Sequence, residues 1–219
     1  MTTLPQFPLG TVLFPSMVLP LHVFEERYRT MMHDVVFGHG PEEPTKEFGI
    51  PLIERGFEVG GDDVRSSVGT VARIIEHQHL DDGRWVITTV GVRRYRVTEW
   101  LEDSPYPRAE VEDWPDLAAT KDLSVDLAAA VKIFNRVMAT AAEAGYDVGA
   151  IPDIDPEPDI GIAQLTAMAP VNELDRQNFL CAEGPEQRLP LVHEALNGAL
   201  EMFQFELLSG EDSAGETET

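Results

Sequence analysis

The chain has 219 residues, of which 43% are apolar and 25% charged, enough to close a core as one large domain or two small ones. Its 39 acidic and 16 basic residues give a formal net charge of −23, which argues against sequence-independent nucleic-acid binding and against docking on an anionic membrane, since both need clustered Lys and Arg. The single cysteine, Cys181, rules out an intrachain disulfide and suits a reducing cytosol.

Prolines 5, 8, 15, 20 and 41 exclude a long helix at the start of the chain, and short strands with prolines at their starts or edges are expected there. From Phe24 the spacing changes. Phe24, Tyr28, Met31, Met32 and Val35 follow a helical period that ends near Phe37, with Glu25 and Glu26 in the first turn, where the helix dipole favours acids. Segments 47–53, 67–80, 84–99 and 106–114 read as strands rich in β-branched and aromatic residues. Asp81-Asp82-Gly83 is a hairpin turn between two of them, and Gly60-Gly61-Asp62-Asp63 marks another loop. Trp114-Pro115 closes this half.

The second half is helical. Leu123, Leu127, Val131, Phe134, Met138 and Ala141 form an apolar stripe that Gly145 ends, and the proline-rich stretch 151–158 is a loop. Short helices are expected over 160–168 and 171–182. A long one over about 185–208 carries Leu189, Val192, Leu196, Leu200 and Phe203 on one face. Residues 209–219, with no apolar side chain larger than alanine, read as a disordered acidic tail. Charge divides along the same line: residues 1–114 carry 11 basic and 19 acidic groups, residues 115–219 carry 5 and 20.

Several compulsory catalytic motifs are missing. A phosphate-binding P-loop needs Gly-Lys followed by Ser or Thr, whereas Lys46, Lys121 and Lys132 are followed by Glu, Asp and Ile and none follows Gly. His77 and His79 share a strand face at a spacing that metals use, with Asp81 or Asp82 as a third ligand; the plainer reading is a solvated hairpin end. Cys181 reads as a small core residue on an apolar helix face. No catalytic residue, metal ligand or cofactor site is therefore assigned. The start of the chain lacks a secretory leader pattern and no run approaches the ~18 apolar residues of a membrane span, so a soluble, cytoplasmic protein is expected.

The block Phe7-Pro8-Leu9-Gly10-Thr11-Val12-Leu13-Phe14-Pro15, continuing through Pro20-Leu21-His22-Val23-Phe24-Glu25-Glu26-Arg27-Tyr28, resembles the opening signature of the Lon substrate-binding domain, in the form found in its stand-alone bacterial members. Phe48-Gly49-Ile50, Glu58-Val59-Gly60, Val68-Gly69-Thr70 and Gly91-Val92-Arg93-Arg94-Tyr95-Arg96-Val97 extend the match, with looser steps at Asp175-Arg176-Gln177 and Arg188-Leu189. The resemblance implies an α+β fold: a PUA-like β-barrel domain with one early helix over 1–115, then a C-terminal helical bundle over 116–208. It also implies a module that binds unfolded or extended polypeptide without cutting it, as an adaptor in protein quality control beside a protease or chaperone. The 219 residues themselves hold no ATPase or protease motif.

Peptides bind by adding to a strand edge or by docking apolar anchors. Phe24, Tyr28 and Trp85 are the candidate anchors, with core packing as the other reading. Arg94 and Arg96, on one strand face opposite Arg93, are candidates for acidic peptide segments, or else neutralise neighbouring carboxylates such as Glu99. A second functional class stays open: a small hydrolase built from scattered histidines and carboxylates, which requires a close His–carboxylate pair in a deep pocket.

Overall fold

A computed structural model describes residues 2–38, 44–56 and 64–215. The chain divides into two compact units, Met1–Pro115 and Asp116–Thr219. Among the described residues the first contains six strands and one helix, and the second four helices. The expected Gly-Gly-Asp-Asp loop at 60–63, the match at 58–60 and residues 216–219 of the expected tail lie outside the described residues.

The first unit is a largely antiparallel sheet. Its strands are β1 (Thr2–Pro5), β2 (Val18–Val23), β3 (Glu47–Arg55), β4 (Val64–His79), β5 (Trp85–Trp100) and β6 (Arg108–Asp113). They run in the order β1-β6-β5-β4-β3, with β2 paired to β5 off that path. Strand β5 is long enough to serve two neighbours in turn: its first half pairs with β2 and its second half with β6. The turn that reverses the chain from β4 to β5 rests on Gly83, whose φ of 83° suits glycine. Main-chain bonds from Phe7 N to Gly49 O at 2.8 Å and from Ile53 N to Leu9 O at 2.8 Å tie the residues after β1 to β3.

Helix α1 (Glu26–Phe37) buries Tyr28, Met31, Met32, Val35 and Val36 in the main core, against Phe7, Phe48, Ile50, Trp85 and Ile87. A second cluster gathers Leu4, Val71, Tyr95, Ala109 and Val111. There Tyr95 Oη donates to Gln6 Oε1 at 2.5 Å, and both residues are fully buried. Burial pushes the Tyr95 phenol well above its ordinary pKa.

The second unit comprises α2 (Ser124–Glu143), α3 (Pro158–Met168), α4 (Glu173–Cys181) and α5 (Pro185–Gly215). Two of these helices start on side-chain caps. Glu157 caps Ile160 N before Pro158, and Asn172 accepts from Asp175 N at 3.0 Å. Three expectations need correction. The buried stripe of α2 is Leu127, Ala130, Phe134, Val137 and Ala141, so Val131 and Met138 flank the core face instead of lying on it. They line a cavity of about 480 Å³ beside Ile151 and Ile154. Helix α5 continues to Gly215, past 209 where a disordered tail was expected. Cys181 is exposed, because the last turn of α4 buries Phe179 and Leu180 and turns position 181 outward.

The Arg188 side chain explains one of the family-like steps. Its Nη1 and Nη2 donate to Asp116 at 2.6 and 2.8 Å while Nε donates to Phe179 O at 3.0 Å, so a nearly buried guanidinium joins the segment before α2 to α4 and α5. Asp116→Ala strands that charge. Because Asp116 itself is 39% exposed, water screens part of the loss, and a cost of about 2 kcal/mol is expected in urea unfolding read by far-ultraviolet circular dichroism. Asp116→Asn, which keeps one acceptor, is expected to cost less.

Candidate functional site

Among the described residues three strands, β1, β2 and β3, each pair with a single named strand, and β2 is the one that lies off the main path of the sheet. Strand β2 pairs with β5 in the register Val18↔Val90 through Val23↔Trp85, and no other strand pairs with it among the described residues. The bond from Gly91 N to Met17 O fixes the alternation. Residues 17, 19, 21 and 23 turn their main-chain groups toward β5, and 18, 20 and 22 turn theirs to the open edge. Thr89 Oγ1 donating to Leu19 O at 2.9 Å agrees with that phase. Pro20 therefore withholds a donor from the free side, a device that keeps an exposed edge from pairing indiscriminately.

Apolar side chains stand at both ends of this edge. Val18 and Phe24 are each 57% exposed. Next to Phe24 a depression of about 180 Å³ is lined by His22, Val23, Leu80, Arg84, Trp85 and Val86. A second, of about 290 Å³, lies on the other flank of Trp85 among Glu26, Arg29, Thr30, His33, His79 and Gly83.

The five candidate residues separate by burial. Phe24 is free to touch a ligand. Tyr28 is 4% exposed and packs on Phe7 at 4.3 Å between ring centroids, and Trp85 is 2% exposed beneath His79 at 4.6 Å, so both are core residues rather than projecting anchors. The expectation for Arg94 is likewise corrected. It is buried, with its guanidinium 4.6 Å from the Trp114 ring centroid. Arg96 lies exposed on the same ring at 4.3 Å, so the two share a face as the strand period requires. Arg93, on the opposite face, bonds Glu47 and Asp113. The edge position Val18 was missed; the proline two residues on was its only signal.

His77 and His79 lie against the Trp85 ring, and among the described residues no group of three His, Cys, Asp or Glu side chains could hold a metal ion. His33 approaches Asp34 at 3.6 Å, but its imidazole is mostly exposed. Asp34 instead accepts from Tyr106 Oη at 2.9 Å. Burial and that carboxylate push the tyrosine pKa up to about 12, which keeps the phenol a neutral donor.

A largely antiparallel sheet followed along the chain by helices is shared with solved N-terminal domains of Lon proteins. A Lon N-terminal domain protein from Xanthomonas campestris superposes with a TM-score of 0.59 at 25% identity, over 87% of this chain and 96% of that one. The N-terminal domain of the Mycobacterium avium complex Lon protease gives 0.60 at 17% identity, over 90% and 98%. Residues 3–198 match the ATP-dependent protease La (LON) substrate-binding domain, and the chain belongs to that family. Lon protease 1 of Myxococcus xanthus is 26% identical over 216 residues, which is 93% of this chain and 25% of that protease. The Lon protease of Dictyoglomus thermophilum is 32% identical over 110 residues, 50% of this chain and 13% of the protease. The chain thus spans a quarter or less of the length of these two proteases. No helix among the described residues is long and apolar enough to cross a membrane.

Proposed function

We propose that this chain is a non-enzymatic module that holds unfolded or extended polypeptide, acting as an adaptor that presents it to a separate protease or chaperone. Membership of a substrate-binding domain family carries the reading. The first unit is read as a barrel in which the bonds from residues 7–9, just past β1, to β3 bring together the two ends of the strand order, leaving β2 as the accessible edge. An extended segment adds alongside residues 18, 20 and 22, and its apolar side chains meet Val18 and Phe24. The net charge of −23 favours segments that are apolar or basic over acidic ones. No step of the proposed role requires nucleotide, metal or cofactor.

The test uses reduced, alkylated α-lactalbumin, fluorescently labelled, as a permanently unfolded probe. Saturable binding without cleavage is expected. Phe24→Ser is expected to weaken it roughly tenfold, as loss of an anchor does, while the thermal midpoint stays unchanged because the side chain is exposed. The reading fails if the probe does not bind, if it is cut, or if Phe24→Ser binds as well as the parent.

A further inference from the structure

Helix α5 carries two apolar faces. One, formed by Leu189, Val192, Leu196, Leu200 and Phe203, is buried within its own unit. The other runs Leu191, Ala195, Gly198, Met202, Phe205 and Ser209, at intervals of four, three, four, three and four residues. That is the 4-3 alternation of a coiled-coil seam, here about 27 Å long. It points outward: Leu191 is 36%, Met202 48% and Phe205 71% exposed, and a Cβ placed on Gly198 meets nothing within 4 Å. Two small residues between large ones leave a recess into which a partner's side chains can insert.

The flanks decide what fits. Glu194 and Glu201 border the seam on one side and Glu206 on the other, all exposed, and no lysine or arginine occurs after Arg188. In a parallel pairing of two copies Glu201 would face Glu206, and in an antiparallel one Glu194 would face Glu201. Like charges at those positions destabilise either arrangement, which argues against a second copy of this chain. The seam calls instead for a helix with apolar core positions and Lys or Arg beside them.

We propose that the outer face of α5 is a docking seam for a basic, heptad-patterned helix of a partner protein. This surface belongs to the second unit and the β2 edge to the first, and the proposal does not depend on the polypeptide-holding role. The probe is a synthetic four-heptad peptide with Leu at both core positions and Lys at both flanking positions, labelled for anisotropy against the full 219-residue protein. Binding is expected for this peptide. It should be at least tenfold weaker when the flanks are Glu, or when the core positions are Ser and the Lys residues are kept. Met202→Ala combined with Phe205→Ala is expected to weaken it roughly tenfold with unchanged circular dichroism, and Phe24→Ser is expected to leave it unaltered. Equal binding of the Glu-flanked or Ser-core peptides would overturn the proposal, as would indifference to the double substitution. Sedimentation showing a dimer that Phe205→Glu dissolves would overturn it in favour of self-association.

Discussion

Gly69→Ala is expected to unfold the first unit, or to destabilise it by more than ~3 kcal/mol. A Cβ at position 69 would lie 2.5 Å from Tyr95 Oη and 2.6 Å from the carbonyl oxygen of Ile50. Real carbon atoms do not approach oxygen that closely. The Ile50 oxygen is backbone in a paired strand, and Tyr95 is held by full burial and by its bond to Gln6. Neither can step aside, so the strain of overpacking falls on the β3–β4–β5 pairing itself. A loss of that size is a large part of the 5–15 kcal/mol typical of a folded domain. Urea unfolding followed by tryptophan fluorescence gives the readout. Adding Tyr95→Phe to Gly69→Ala removes the nearest obstructing atom and is expected to restore part of the loss, a coupling that two independent sites would not show. A cost below about 1 kcal/mol for the single change would mean that position 69 is roomier than described.

The second large effect is expected at Trp85. With 2% of its surface exposed and its ring packed among His79, Phe37 and His77, truncation to alanine leaves a cavity that the sheet cannot refill. Large-to-small changes of this kind cost about 3–5 kcal/mol. Trp100 and Trp114 remain as reporters for the unfolding curve. The contrast with Phe24 is the informative part. Trp85→Ala should lower stability and, below its unfolding midpoint, still bind unfolded polypeptide, whereas Phe24→Ser should do the reverse. Loss of binding by folded Trp85→Ala with full stability would restore the ring as a contact residue.

The strands were legible because β-branched and aromatic runs are bounded by turn residues, and Asp81-Asp82-Gly83 named its own hairpin. Helix α2 was legible in extent but not in phase, since alanine at 130 fills the core face as well as a larger residue and carries no hydrophobic signal of its own. The site was harder to read. Phe24, Tyr28 and Trp85 look alike as residues, and only the packing of α1 on the sheet hides two of them. That β2 has an open side depends on its pairing with a strand more than sixty residues later, to which Pro20 is the sole local pointer. The family-like run 91–97 proved to be construction: Tyr95 is buried against Gln6, the arginines on either side of it lie on Trp114, and Arg93 bridges Glu47 and Asp113.

All three tryptophans, at positions 85, 100 and 114, fall within the first unit, and the sole thiol, at Cys181, is exposed in the second. One maleimide dye on the unaltered chain therefore creates a donor–acceptor system with the indoles on one side and the dye on the other. Native emission then follows melting of the sheet, dye anisotropy follows the helices, and energy transfer gauges the spacing of the two halves before and after the unfolded probe is added.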